Sequence, residues 1–180
     1  MLKKSIEKAF NKQINAEIYS AYLYLSMSAY FESIGLKGFA HWMRIQEMEE
    51  KIHAMKFFNY VNATNGRVTL SQIAGPETEW ASPLAAFEAA LAHEIKVTGL
   101  IHGLVDLAIK EKDHASNNFL QWFVTEQVEE EESAGEIVSK LKLIGKDTSA
   151  LFMLDGELAA RPVPPDPTLG AAAGGAKAGA

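Results

Sequence analysis

The chain repeats itself at an offset of 77 residues. Adding 77 carries Phe10 to Phe87, Ile14 to Leu91, Glu17 to Glu94, Leu23 to Leu100, Trp42 to Phe119 and Met43 to Leu120. The same offset carries Glu49 to Glu126, Glu50 to Gln127 and His53 to Glu130. Identity between the halves is low, but size and polarity match. Since 77 is eleven heptads, a helix keeps its phase across the repeat. Two hairpins of one design, packed about a pseudo-twofold axis, are what such a chain can build.

Helical periodicity runs over 4–34, 37–64, 83–111 and 114–144, with a shorter apolar piece at 148–158. The punctuation agrees. Gly35 and Gly38 flank the first break, Asn65-Gly66 reads as a glycine stop, Ser82-Pro83 as an N-cap with proline at the first helical position, and Gly145 ends the fourth segment. This predicts an all-α four-helix bundle with a short fifth helix. The first and third breaks are short, so each pair of helices is an antiparallel hairpin. Between them lies Asn65 to Ser82, which includes a possible extended stretch over Arg67–Leu70. A helix of ~28 residues is ~42 Å long, and ~18 extended residues reach ~60 Å. The loop is therefore long enough to run back along the bundle and set the hairpins parallel. The domain is read as residues 1–158. Residues 159–180, rich in proline, alanine and glycine, read as a flexible tail with no role assigned.

Each core stripe is interrupted near its middle by metal-ligand residue types. The first helix reads Phe10, Ile14, Glu17, Ala21, Tyr24, Ser28, Phe31; the second Met43, Gln46, Glu50, His53, Phe57, Tyr60. The third reads Leu84, Phe87, Leu91, Glu94, Thr98, Ile101, Val105, Ala108; the fourth Leu120, Phe123, Gln127, Glu130, Ala134, Ile137, Leu141, Ile144. Glu17 and His53 each lie 18 residues from Gly35, and Glu94 and Glu130 each lie 18 from Lys112. All four therefore stand at one height, ~27 Å from the turns. Alone, none of these residues means much, and Glu130 sits in a run of four glutamates of the kind that usually faces water. Together they put several carboxyl groups in one core layer with no lysine or arginine in any stripe. Such a layer is tolerated only with protons or metal.

Oxygen-rich ligands with one or two nitrogens suit iron or manganese, and bridging carboxylates suit two ions ~3.5–4 Å apart. Hard carboxylates favour the ferric state and so the oxidation of Fe(II). The chain has no cysteine, which excludes disulfides, thiolate zinc, iron–sulfur centres and cysteine nucleophiles. A net charge of −6 and no concentrated basic face speak against nucleic-acid or anionic-membrane partners. The charged amino terminus lacks a signal-peptide pattern and no apolar run approaches ~18 residues, so a cytoplasmic protein is expected.

In helix order, motif spacing and the long crossover, residues 1–158 resemble the non-haem ferritins of bacteria and archaea. The resemblance implies a ferroxidase and iron store in which Glu17, Glu50 and His53 hold one iron and Glu94 and Glu130 the second. Glu50 would bridge the two, with Gln127 near the second. It also implies a third iron position at Glu49, Glu126, Glu129 and Glu130, and a site tyrosine at Tyr24 that supplies an electron; Trp122 is a further redox candidate. Fe(II) would be oxidised by O2 or H2O2, and the ferric product stored in a homo-oligomeric shell of 24 subunits that the fifth helix helps to close. Haem is not expected, because Lys51 stands where bacterioferritins carry their haem-binding methionine. The alternative is a ferritin-like di-iron oxidase or peroxidase without storage. A helical interaction module with incidental polar core groups is a third reading.

Overall fold

A computed structural model describes residues 2–165 of the chain; the distal tail, 166–180, lies outside the described residues. Five helices follow in order: α1 (Lys4–Ser33), α2 (Lys37–Ala63), α3 (Pro83–Lys110), α4 (His114–Ile144) and α5 (Thr148–Leu158). Each ends within one residue of the segment its periodicity marks out. No strand occurs among the described residues, so Arg67–Leu70 is loop.

Local chemistry explains the boundaries. The Ser82 side chain accepts from the Ala85 amide, with Pro83 at the first helical position, and Asp113 and Asp147 cap α4 and α5 in the same way. Helices α1, α2 and α3 close with paired backbone bonds around a left-handed residue: Gly35, Asn65 and Lys112 respectively. The second stop differs from expectation in one detail. Asn65, not Gly66, takes the positive φ of 59°, which asparagine tolerates. Gly66 is needed for room, since a β-carbon there would crowd Val61.

The crossover earns its length. Asn11 on α1 donates to the Arg67 carbonyl and accepts from the Thr69 amide, Asn15 donates to the carbonyls of Ser71 and Gln72, and Ser26 donates to Glu77. Partners rise in number together, so the loop runs parallel to α1 and returns the chain to the end where α3 begins. The two hairpins are therefore parallel, as expected.

The core falls into two apolar blocks. One is built around Met27, Phe31, Phe39, Met43 and Phe87, the other around Phe10, Phe57, Ile101, Leu120 and Phe123. The stripes of α1 and α4 are buried as read, apart from Ile144, which is half-buried. On α3 the stripe moves sideways. Ala90, Val97 and Leu104 are buried, while Leu91, Thr98 and Val105 are half-buried and Leu100, the repeat mate of buried Leu23, is exposed. A straight helix drifts ~20° per heptad from a strict seven-residue repeat, and over four heptads that moves the buried edge.

Helix α5 docks on the start of α2, whose own N-cap residue, Leu36, offers no side-chain bond. Asp155 fills the gap: its Oδ1 accepts from the amides of Gly38 (2.8 Å) and Phe39 (3.0 Å). A β-carbon at Gly38 would overlap the Asp155 carbonyl group. We expect Gly38→Ala to cost about 1–3 kcal/mol through overpacking and to raise amide exchange in α5 while α3 and α4 stay protected. A variant as stable as the parent would show that α5 is held elsewhere.

Candidate metal centre

Between the two apolar blocks lies a polar layer. Glu17 comes from α1, Glu50 and His53 from α2, Glu94 from α3, and Gln127 and Glu130 from α4; none is more than 5% exposed. They meet because each interrupts its stripe at the same height.

Among the described residues, two groups of three can offer ligand atoms within 4.8 Å of one another: Glu17, Glu50 and His53, and His53, Glu126 and Glu130. His53 is common to both. It lies 3.6 Å through Nδ1 from a Glu50 oxygen and 3.7 Å through Nε2 from Glu126. Glu94 stands outside both groups and is engaged by protein donors: Tyr24 donates to its Oε1, and the Gln127 amide lies 3.3 Å from its Oε2. Glu130 accepts from Gln46 at 2.6 Å. By contrast, Glu17 Oε2 and Glu50 Oε2 are buried with no hydrogen-bond partner. Unpartnered carboxylate oxygens beside an imidazole are the donor set a hard cation requires.

Electrostatics mark the same layer. Burial, then the charge of Glu94, pushes the Glu50 carboxyl well above its ordinary range. Glu94 is raised to about 6 by burial against the bonds from Tyr24 and Gln127. Glu130 is raised to about 7 by burial and by Glu94. Burial alone would lower His53, but Glu126 and Glu50 beside it hold it well above the usual imidazole value. Burial, then Glu94, likewise raises the Tyr24 phenol.

Beside the layer, Glu49, Glu126, Glu129 and Glu130 line an open cleft of about 510 Å³ together with Glu132, Ser133, Glu136 and Arg161. Trp122 is partly exposed, with its ring edge-on to His53 at 5.4 Å and the Lys56 ammonium 3.8 Å over its face. Lys51 turns away and pairs with buried Glu47.

Three contributors had no role in the sequence reading. Gln13 donates to Glu17 Oε1 at 2.9 Å, a pairing its spacing of four residues could have flagged. Gln46 lay in the α2 stripe but was not assigned as the donor to Glu130. Arg161 follows α5, in the segment read as tail, and carries no periodic signal; it pairs with Glu49 at 2.7 Å.

A family model described as the ferritin-like domain matches residues 7–144. The bacterial non-heme ferritin of Bacteroides fragilis is 44% identical over 161 residues, covering 89% of this chain and all of that protein. That of Staphylococcus saprophyticus is 40% identical, covering 89% of this chain and 96% of that protein. Among solved structures, the open pore ferritin of the hyperthermophilic archaeon Archaeoglobus fulgidus is 58% identical. It superposes with a TM-score of 0.89 over 90% of this chain and all of that one. The helical bundle superposes on that archaeal ferritin along nearly its whole length, and the chain belongs to the ferritin family of iron-storage proteins.

Proposed function

We propose that this chain oxidises Fe(II) in pairs at the mid-bundle layer and stores the ferric product inside a closed shell of its own copies. The observation that carries the reading is the pair of buried, unpartnered oxygens, Glu17 Oε2 and Glu50 Oε2, beside His53. Glu17, Glu50 and His53 hold the first Fe(II). Glu94 and Glu130 hold the second with Gln127 alongside, and Glu50 lies between the two. The bonds from Tyr24 to Glu94 and from Gln46 to Glu130 keep these two acids aimed inward until the ion arrives.

Two adjacent Fe(II) ions give up two electrons together. That reduces O2 to H2O2 with two protons, or H2O2 to two waters with two protons, so no one-electron oxygen species need escape. Tyr24 touches Glu94, and Trp122 touches His53 edge-on; both stand where a further electron could be supplied. Ferric ions then leave past Glu49, Glu126, Glu129 and Glu130, the cleft next to the layer. A shell of 24 copies at 19.7 kDa each would weigh about 470 kDa. The exposed Phe152 and Met153 of α5 and Leu143 at the end of α4 are apolar surface that neighbouring copies would cover. No helix among the described residues is long and apolar enough to cross a membrane.

Aerobic addition of Fe(II), followed by absorbance and by native size, tests this reading. Storage predicts a large particle retaining far more iron than the two ions per chain its sites hold. Saturation at two per chain with no mineral would replace storage by a di-iron oxidase or peroxidase activity. A small particle that binds no iron would leave only a helical module.

A further inference from the structure

Beyond α5 the chain folds back over α2. The Arg161 carbonyl oxygen lies 2.8 Å from His41 Nε2, and the guanidinium lies 4.7 Å from the centre of the Trp42 ring. Arg161 Nη2 donates to Glu49 Oε2 at 2.7 Å, with both side chains only about one-fifth exposed, 22% and 21%. The other terminal nitrogen, Nη1, is buried and has no partner. Arg161 is the only basic residue lining the acidic cleft among the described residues, against six glutamates. A mere surface ion pair would be neither stacked nor tied by its backbone, and would not bury an unpartnered nitrogen. A guanidinium keeps its charge at any physiological pH, so this cation is always present.

We propose that Arg161 is the resident counter-cation of the acidic cleft, a positioning residue that holds Glu49 and must be displaced before a passing metal ion can take Glu49 as a ligand. The inference deepens the reading of the cleft given above and rests on it. Its consequence is kinetic. With one oxygen of Glu49 already occupied by a fixed charge, a di- or trivalent ion in the cleft is held weakly and moves on. The acids of the deep layer face no permanent cation: their other protein donors are amides and a phenol, and His53, 3.6 Å from Glu50, can give up its proton and become a ligand itself. A purely structural role, fastening the segment after α5 to α2, would leave metal affinity untouched.

The test is a calorimetric titration of the full-length, iron-free protein with zinc(II) at low ionic strength, comparing wild type, R161Q, R161K and E49Q. We expect two ions per chain at the deep layer with the same affinity in all four. A further, weaker ion should bind at least tenfold more tightly in R161Q than in wild type, at near wild-type strength in R161K, and more weakly in E49Q. Equal or weaker third-ion binding in R161Q overturns the proposal. A second measurement leaves Arg161 in place and guards against misfolding of the variant. In a W80F/W122F chain only Trp42 emits, and its emission should shift as the third zinc binds; unchanged emission overturns the proposal equally. Should wild type bind fewer than two zinc ions, with no loss on Glu17→Ala, the di-metal reading itself falls and takes this inference with it.

Discussion

Glu17→Ala should slow the initial oxidation of Fe(II) by on the order of a hundredfold. Glu17, Glu50 and His53 offer ligand atoms close to one another, and on the proposed reading they hold the first metal ion. With alanine there, Glu50 and His53 are left to hold an ion alone. If the proposed paired oxidation holds, both positions must be filled at once for two electrons to leave together, so the rate should fall with the occupancy of the weaker position. The side chain also binds the Gln13 amide, and losing that bond frees Gln13 to fold into the gap and block it. Stopped-flow absorbance with two Fe(II) per chain reads the effect in a single turnover. The same variant should fold into a shell of normal size, since the substitution removes a buried acid from a layer that contains no lysine or arginine. Kinetics indistinguishable from the parent would remove Glu17 from the site.

The iron-free subunit should lose stability as pH rises from about 4.5 to about 7. Glu94 and Glu130 have folded values of about 6 and about 7 against an ordinary 4.5. Within that window the folded chain holds protons that the unfolded chain has released, so the stability slope with pH is negative. At 1.36 kcal/mol per unit the shifts amount to roughly 2 kcal/mol for Glu94 and roughly 3 for Glu130. The two acids interact, so these figures do not simply add. Glu50, raised well above its ordinary value, extends the fall to higher pH. His53 acts in the same direction: its raised value gives stability that is complete below about 6.5 and is lost as pH climbs through the folded value. Metal bound at these acids would replace the protons. Unfolding of chelator-treated protein across pH 5 to 8, at fixed protein concentration, should show the decline, and a redox-inert divalent ion should abolish it with measurable proton release near neutrality. A flat profile without metal would mean that the acids ionise in the fold at no cost, contrary to their burial.

The fold was legible because its signals are local and periodic. The Ser82-Pro83 cap, the stop at Gly35 and the seven-residue stripes each report on a few neighbouring residues, and the repeat joined them into one layer. What escaped reading depended on geometry that spacing does not carry. The stripe of α3 shifts sideways, with Val97 and Leu104 buried and Thr98 and Val105 half-buried, because about 3.6 residues per turn and a strict seven-residue repeat do not stay in phase. Glu126 was assigned to the outer acids, yet it reaches His53, and only the rotation of α4 against α2 shows this. Gln46 looked like one more residue in an apolar stripe, because nothing in a sequence says which acid across the bundle an amide will face. Arg161 was least visible of all. Its position depends on Asp155 binding the first amides of α2, a contact between residues 117 apart.

The division of the core into two apolar blocks has a further consequence. The greasy halves of this rod are joined by a hydrophilic waist, where protonated acids stand in for apolar packing when no ion is bound. An ion bound there ties four helices at the level where hydrophobic contact is thinnest. Iron held there would be a rivet as well as a reactant, and filling the sites should quiet the middle of the bundle more than its ends.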